Sequence, residues 1–459
     1  MSEKWVEHIK TGLLIALVLA SFLLTGLLWL NQPGEKRSYN PLDAYTINPI
    51  YDEKYNDRKI YQLAAPNQMI VHQKGAHFWL LPEEAGYEQL LRSMQSMSVS
   101  DMEKMGKVSP DTWKNMFTRF PGVELYFPDE VSLEHADLFF QESLSQHYPM
   151  SHLSSVSRIW FFSNPEKKQN YVWFISDQDQ QIIQAKTDID LENLLSKLKH
   201  PSSPSLEAVP ATGKAPWDPA NQDEPFPRMF YLPTRPVSLS EKTYQLEDIS
   251  ADAMIDWLFK DPEVRPIPIN KNEDLYMYDE QMMTVNKNNR FMVYSEAVEE
   301  SPGEIQPVEQ RLSAVNNFVQ RPHGWTGNYL LDQVDDKENA FSEFTFRLYM
   351  NGYPVYWKDR NFIHPDEIKL QTNPVENAVN VNKYERSLFY LTGEPQQKQA
   401  ALPDKETLIK QLSKHNLSLS NVKRIHPGYQ AVTTNQQVRL TPVWVVKTTS
   451  GQQVWISSP

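Results

Sequence analysis

The chain has 459 residues, with 45 Lys+Arg against 58 Asp+Glu and a formal net charge of −13. At 40% hydrophobic and 12% aromatic it has ample apolar material for packed cores, which excludes wholesale disorder. Its acidic balance argues against a nucleic-acid binder, because phosphate recognition rests on Lys and Arg. The absence of cysteine removes disulfides, thiolate nucleophiles, Fe–S clusters and sulfur-ligated zinc, and 15 glycines against 33 prolines disfavour Gly-rich cofactor loops.

The N-terminus carries the first element. No charge occurs from Thr11 to Gly34, and Gly12–Leu30 is almost wholly apolar. Those nineteen residues, at about 1.5 Å each, come close to the hydrocarbon thickness of a bilayer. A cleaved signal would have a shorter apolar core and a small-residue cleavage site, whereas this run leaves through Trp29, an interfacial anchor, and Pro33, a helix end. An uncleaved signal anchor is therefore expected. Lys4 and Lys10 on one side and Lys36 and Arg37 on the other leave the positive-inside count undecided. The short tail and long polar remainder favour export of the C-terminal side. Gly12, Ala16, Ala20 and Gly26 fall on one helical face, where small residues allow another membrane helix to approach closely. Chance is the competing account, since Gly and Ala are common in membrane helices.

Beyond a tyrosine-rich stalk, Met69–His72 and His77–Leu81 read as a hairpin, and Pro82–Met97 as a helix. Ser109-Pro110 opens a short helix to about Thr118, Val123–Phe127 is a strand, and Ser132 caps a helix through Phe140. Strands Arg158–Ser163, Tyr171–Ser176 and Ile182–Ala185 precede a helix beginning at Asp188. Pro201–Pro236 holds nine prolines in 36 residues, which predicts a semi-rigid linker. Ser250 then caps an amphipathic helix stopped at Asp261-Pro262. A hairpin turns at Asn286–Asn289, and Glu309–Gln320 is a helix burying Leu312, Val315, Phe318 and Val319. Phe344–Met350 alternates cleanly into the Asn351-Gly352 turn, Asp404–Lys414 is a helix, and two strands around Ser450-Gly451 close the chain.

Motifs for chemistry are scarce. There is no G-x-S-x-G, P-loop, G-x-G-x-x-G or H-E-x-x-H. His72/His77 and His147/His152 are five apart, a spacing that does not put two ligands on one helical face, so no metal site is expected. Asp177-Gln178-Asp179 starts like a calcium loop but has Ile182 where glycine is required. S-x-x-K, the nucleophile motif of penicillin-interacting enzymes, occurs at Ser196–Lys199 and Ser420–Lys423. The only K-T-G, Lys10-Thr11-Gly12, sits at the membrane boundary, so both matches read as chance. Neither a catalytic group nor a cofactor is expected.

Several stretches together resemble the YycH family. They are the tail and helix ending in Leu28-Trp29-Leu30-Asn31-Gln32-Pro33, then Phe230-Tyr231-Leu232-Pro233, and the helix end Ala253–Asp261-Pro262. Met282-Met283-Thr284-Val285, Gly324-Trp325-Thr326-Gly327-Asn328-Tyr329 and Phe346–Val355 follow in the expected order. The resemblance implies an accessory regulator of the WalK/WalR (YycG/YycF) two-component system, without enzymatic activity. It implies partnership with the sensor histidine kinase WalK and the companion protein YycI in the cell membrane of a Gram-positive bacterium, with no nucleic acid involved. The fold expected is α+β: a single N-terminal transmembrane helix, then about three extracytoplasmic domains with mixed, mainly antiparallel sheets. The expected division is 1–10 cytoplasmic tail, 11–33 transmembrane helix, 34–200 first α+β domain, 201–227 Pro-rich linker, 228–322 second α+β domain and 323–459 β-rich third domain, YycI-like by resemblance. The face Gly12, Ala16, Ala20 and Gly26 is the expected partner-binding site. An extracytoplasmic ligand-sensing module and a membrane-anchored cell-wall enzyme are the alternatives.

Overall fold

A computed structural model describes residues 18, 21, 53–73, 75–198, 204–218, 228–261, 263–298, 304–320, 324–337, 340–357, 364–375, 378–434 and 436–458. The chain falls into two compact units, Met1–Asn48 and Pro49–Pro459. In the first, Val18 and Ser21 are helical and the rest of the apolar run, with Gly12, Ala16, Ala20 and Gly26, lies outside the described residues. Among the described residues no helix is long and apolar enough to cross a membrane.

The second unit opens with two short helices, α1 (Glu53–Asn56) and α2 (Ile60–Leu63). Its first sheet is built from β1 (Gln68–Gln73), β2 (Ala76–Leu80), β3 (Val99–Lys104), β4 (Gly122–Val131), β5 (Val156–Asn164), β6 (Gln169–Ser176), β7 (Gln181–Thr187), β8 (Leu206–Pro210) and β9 (Met229–Pro233). Nine strands run in the order β3-β7-β6-β5-β4-β1-β2-β8-β9. Between them lie α3 (Ala85–Met94), α4 (Pro110–Thr118), α5 (Leu133–Asp137) and α6 (Leu191–Lys197). Ser109 and Ser132 cap α4 and α5 as expected, their hydroxyls accepting from the Thr112 and His135 amides at 3.1 and 3.2 Å.

The remaining strands are β10 (Val237–Ser238), β11 (Glu241–Asp248), β12 (Ile267–Asn270), β13 (Glu273–Tyr278), β14 (Gln281–Asn286), β15 (Phe291–Glu296), β16 (Asn328–Asp336) and β17 (Ser342–Met350). They continue with β18 (Tyr353–Trp357), β19 (Glu367–Val375), β20 (Ala378–Ser387), β21 (Phe389–Lys398), β22 (Ala401–Leu402), β23 (Val422–Thr434), β24 (Gln437–Thr448) and β25 (Gln453–Ser457). All but the small β10–β22 pair join one 14-stranded sheet, whose path β12-β13-β14-β15-β20-β19-β17-β18-β23-β24-β11-β21 carries β16 and β25 as side pairings. Helices α7 (Ala251–Leu258), α8 (Val308–Gln320) and α9 (Lys405–Lys414) accompany it. Among the described residues, β18 and β23 pair in parallel and the other strand pairs are antiparallel, so the architecture is α+β with mainly antiparallel sheets.

One hydrophobic core runs from Leu63 to Ile456 and joins the two sheets. Trp79 of β2 and Trp444 of β24 pack at 5.8 Å between ring centroids. The β17–β18 turn also crosses the seam. Asn351 and Gly352 have φ of 54° and 80°, the pairing of positive values that a two-residue I′ turn requires. A Cβ on Gly352 would lie 2.5 Å from the Pro82 carbonyl oxygen, so only glycine lets this tip seat on the first sheet's edge.

Differences from the sequence reading follow from packing. The expected proline linker contains β8 and β9, in antiparallel register from Leu206↔Pro233 to Pro210↔Met229. Pro210 and Pro233 each occupy the last position of their strand, where proline's missing donor costs little. The helix expected from Asp188 starts at Leu191 with Asp190 as its cap, because Asp188 instead accepts from the Ser98 amide at 2.8 Å. The helix from Ser132 stops at Asp137 rather than Phe140, as the Asp137 carboxylate turns to accept from the Leu144 and Ser145 amides at 2.8 and 3.0 Å.

Candidate functional site

Three regions of the second unit have the geometry of sites. The first is the β12–β15 meander. Its register places Ile267 opposite Leu275, and Met277 opposite Met282, on one face, while Tyr276, Met283, Val285, Met292 and Tyr294 are buried on the other. On the outer face Ile267 and Ile269 are each 53% exposed, Met277 50% and Met282 40%. β12 ends the sheet path, so among the described residues its outer edge carries no partner strand. A cluster of exposed large apolar side chains beside an open strand edge marks an interaction surface rather than a stable solvent face.

The second is a cleft of about 1440 Å3 between α5 with its following loop and the start of α8, lined among others by Lys59, Arg92, Glu134, Phe140, Ile305 and Arg311. Its polar groups largely satisfy one another. The Arg311 guanidinium reaches Asp336 and Ser342 at 2.5 Å, and the Val308 amide donates to Glu134 at 3.1 Å.

The third is a buried polar cluster where β1, β2, β4, β5 and β9 meet. Glu124 is fully buried in β4 and accepts from Arg158 Nη1 at 3.0 Å and from the Tyr231 hydroxyl at 2.6 Å. His72 Nε2 lies 3.6 Å from the same carboxylate, and the His72 ring stacks on Trp160 at 4.8 Å. Burial pushes the Glu124 carboxyl up, but His72, Arg158 and Tyr231 outweigh it and hold the group below the usual carboxylate range. His72 and His77 sit directly across the β1–β2 hairpin with Nδ1 atoms 2.9 Å apart, so one ring donates and the other accepts. Burial, then the charge of His72, push His77 down to about 3. The five-residue spacing that disqualifies a helical pair is the one that makes these two face each other across a hairpin. Among the described residues no group of three or more His, Cys, Asp or Glu is placed to hold a metal ion.

Of the other residues considered from sequence, Ser196 in α6 donates to the Asn193 carbonyl at 2.8 Å, and Lys199 lies outside the described residues. Ser420 lies in a single 3-10 turn, whereas Lys423 is on β23 with its amine 3.1 Å from Asp129, so the pair is not on adjacent helical turns. Asp179 closes a polar hairpin turn, accepting from the Ser154 amide at 2.7 Å and the Ser176 hydroxyl at 2.8 Å. No sequence motif joins Glu124, Arg158 and Tyr231: Arg158 enters only as the start of a strand and Tyr231 only within Phe230-Tyr231-Leu232-Pro233. The available signal was a lone charge inside an apolar strand run, Val123-Glu124-Leu125 and Ser157-Arg158-Ile159.

Compared with known proteins, residues 7–203 match the family model described as YycH protein, N-terminal domain, and residues 227–455 match the one described as YycH protein, C-terminal domain. The chain belongs to the YycH family. A YycH relative from Bacillus subtilis (strain 168), named two-component system WalR/WalK regulatory protein YycH, is 21% identical over 462 residues, covering 96% of this chain and 94% of the relative. The crystal structure of YycH from Bacillus subtilis superposes with a TM-score of 0.63 at 17% identity, covering 87% of this chain and 98% of that one. That likeness establishes the YycH fold, α+β with mainly antiparallel sheets, for the present chain.

Proposed function

We propose that this chain is a membrane-anchored accessory regulator of a sensor histidine kinase in a cell-wall-controlling two-component system of the WalK/WalR kind. The carrying observation is that the two YycH family models together match residues 7–203 and 227–455, and that the full-length relative is named a regulator of that system. On this reading the apolar run 11–33 anchors the chain, the body is extracytoplasmic, and the face Gly12, Ala16, Ala20 and Gly26 packs against membrane helices of the kinase or of a YycI-like companion. Regulation requires that the kinase's two signalling states be bound with different free energies. Close helix packing supplies such a difference, because small residues fit one helix arrangement and not its alternative. Outside the membrane, the apolar outer face of β12–β15 is the surface whose covering by a partner removes most exposed apolar area. No step of this function calls for a nucleophile or a cofactor.

The test is Gly12→Ile combined with Ala16→Ile in the full-length chain. Complex formation in a membrane two-hybrid assay should fall to background and kinase output should uncouple, while circular dichroism of the body stays unchanged. Undiminished association would overturn the intramembrane mechanism. Met277→Lys with Met282→Lys separately tests the meander.

A further inference from the structure

Beside Glu124 lies a cavity of about 70 Å3 whose wall comes from both sheets, including Tyr126 and Arg158 of the first, Arg228 and Tyr231 at β9, and Lys423 and Arg424 of β23. Arg158 is 5% exposed. Its Nη1 is taken by Glu124, but its Nε and Nη2 find no protein acceptor, and neither does Arg424 Nη1. The nearest further carboxylate, Asp177, stops 3.6 Å from Arg158 Nη2. Among the described residues Arg228 donates to the backbone carbonyls of Val422 and Ser420, at 3.0 and 3.3 Å. Of the other acids, Asp129 is shared by Lys423 and Lys447 at 3.1 and 3.2 Å, while Glu130 lines the cavity itself and accepts from the Ser155 hydroxyl at 2.7 Å, so the wall carries Glu130 and Asp177 against Arg158, Arg228, Lys423 and Arg424. Burial lowers the pKa of Arg424; burial also works against Arg158, but Asp177, Tyr126 and Glu124 outweigh it and raise that group, so what the cavity lacks at Arg158 is hydrogen-bond acceptors rather than counter-charge.

Three guanidinium groups from β5, the start of β9 and β23 therefore line one small space with more donors than acceptors. Buried charged donors left unmatched are costly, and water would supply acceptors but no charge. A planar carboxylate offers its oxygens in one plane, whereas these donors arrive from three strands of two sheets. We propose that this cavity binds the phosphate group of a small ligand, gripped by Arg158, Arg424 and Arg228. The volume holds a few waters by the usual measure, hence one tetrahedral oxyanion and not a nucleotide. Asp177 and Lys423, with side chains 38% and 42% exposed, stand at its mouth, where the rest of a phosphate ester would emerge. Because Arg158 belongs to one sheet and Arg424 to the other, an occupant ties the two together and stabilises the body by mass action.

The experiment is a calorimetric and thermal-unfolding titration of the full-length chain in detergent with inorganic phosphate, against sodium chloride and acetate at matched ionic strength. A saturable 1:1 isotherm with a rising Tm is expected from phosphate alone. Arg424→Gln should weaken it at least tenfold, and the exposed Arg119→Gln should leave it unchanged. If Arg424→Gln fails to fold, Arg228→Gln should give a several-fold loss. Glycerol phosphate binding as well as phosphate identifies an ester ligand, and phosphate binding alone identifies the free ion; either outcome supports the site. Equal effects of phosphate, acetate and chloride, or unaltered binding by a correctly folded arginine variant, would overturn it. Such a failure leaves the regulatory reading untouched, since that one is read from membrane association and kinase output.

Discussion

Two buried arginines, one in each sheet, meet opposite fates. Arg347 of β17 is surrounded: Nε and Nη2 reach Asp332 at 2.9 and 2.7 Å, Nη2 reaches Glu367 at 2.6 Å and Nη1 reaches Asp366 at 2.5 Å. Its guanidinium also lies 4.5 Å from the centre of the Tyr356 ring. Arg347 faces three acids, and Lys369, 3.4 Å from Glu367, adds a second cation at the rim, so the excess is one negative charge. Burial pushes the Asp366 carboxyl up against the pull of Arg347. Around Arg158 the difference lies in the hydrogen bonds: Glu124 holds Nη1 and Asp177 stops 3.6 Å from Nη2, so the acids still raise the Arg158 pKa, but among the described residues Nε and Nη2 have no acceptor. A saturated cluster of the Arg347 kind serves to fix strands, whereas an unsaturated one is poised to take something up.

The comparison is broken most directly at Arg347. Arg347→Leu strands Asp366 in the interior without its counter-charge and leaves Glu367 with Lys369 alone, and should cost about 3–5 kcal/mol. Urea unfolding followed by tryptophan fluorescence gives the value. A loss below about 1 kcal/mol would mean that the three acids are hydrated and that the cluster is no clamp.

Glu124→Gln probes the other side with a smaller effect. The amide still accepts from Tyr231 but no longer neutralises Arg158, whose remaining acid is Asp177 at 3.6 Å. A cost of about 2–3 kcal/mol is expected, reduced because Asp177 and the cavity mouth offer some compensation. A loss as large as that of Arg347→Leu in the same urea experiment would erase the distinction between the two clusters.

How far these regions could be read in advance depended on whether a local rule spoke for them. The Asn351-Gly352 turn and the caps Ser109, Ser132 and Ser250 were legible because each rests on a short-range hydrogen bond or a backbone preference; Ser250, for instance, accepts from the Ala253 amide at 3.1 Å. The strands β3, β20 and β23 were not, because Asp101, Glu103, Lys383, Glu385 and Arg424 interrupt their apolar alternation. These strands are held by long-range pairing, as in Lys369↔Glu385 between β19 and β20. Proline density misled at β8 and β9, since what matters is where in the ladder a proline falls rather than how many there are. The polar clusters were invisible for the same reason: Glu124 meets Arg158 and Tyr231 only once the run β5-β4-β1-β2-β8-β9 is assembled.

Acid should separate the two regions by a smaller, graded effect. His77 and His135 on the first sheet's side are pushed down by burial, to about 3 and about 4, and His426 in β23 is pushed down by burial to about 4. All three are neutral in the fold and take up a proton near 6.5 when unfolded. The unfolded chain therefore binds more protons as pH falls from about 6.5 towards about 4, and stability is lost across that window by up to about 1.4 kcal/mol per pH unit for each histidine. Above it they contribute no slope. Asp366 has the opposite sign, because a carboxyl raised in the fold gains a proton there first, so acidification through the carboxylate range favours its cluster. The first sheet's side thus carries two destabilising histidines, offset only in part by Glu84, whose carboxyl burial also raises. His135→Gln keeps a donor for the Ala64 carbonyl, which His135 Nε2 reaches at 2.9 Å, but cannot be protonated. Its unfolding free energy measured between pH 7 and 5 should fall less steeply than the parent's by about 0.9 kcal/mol per unit on average. An unchanged slope would place the proton uptake elsewhere and remove the acid-sensitive difference between the two sheets.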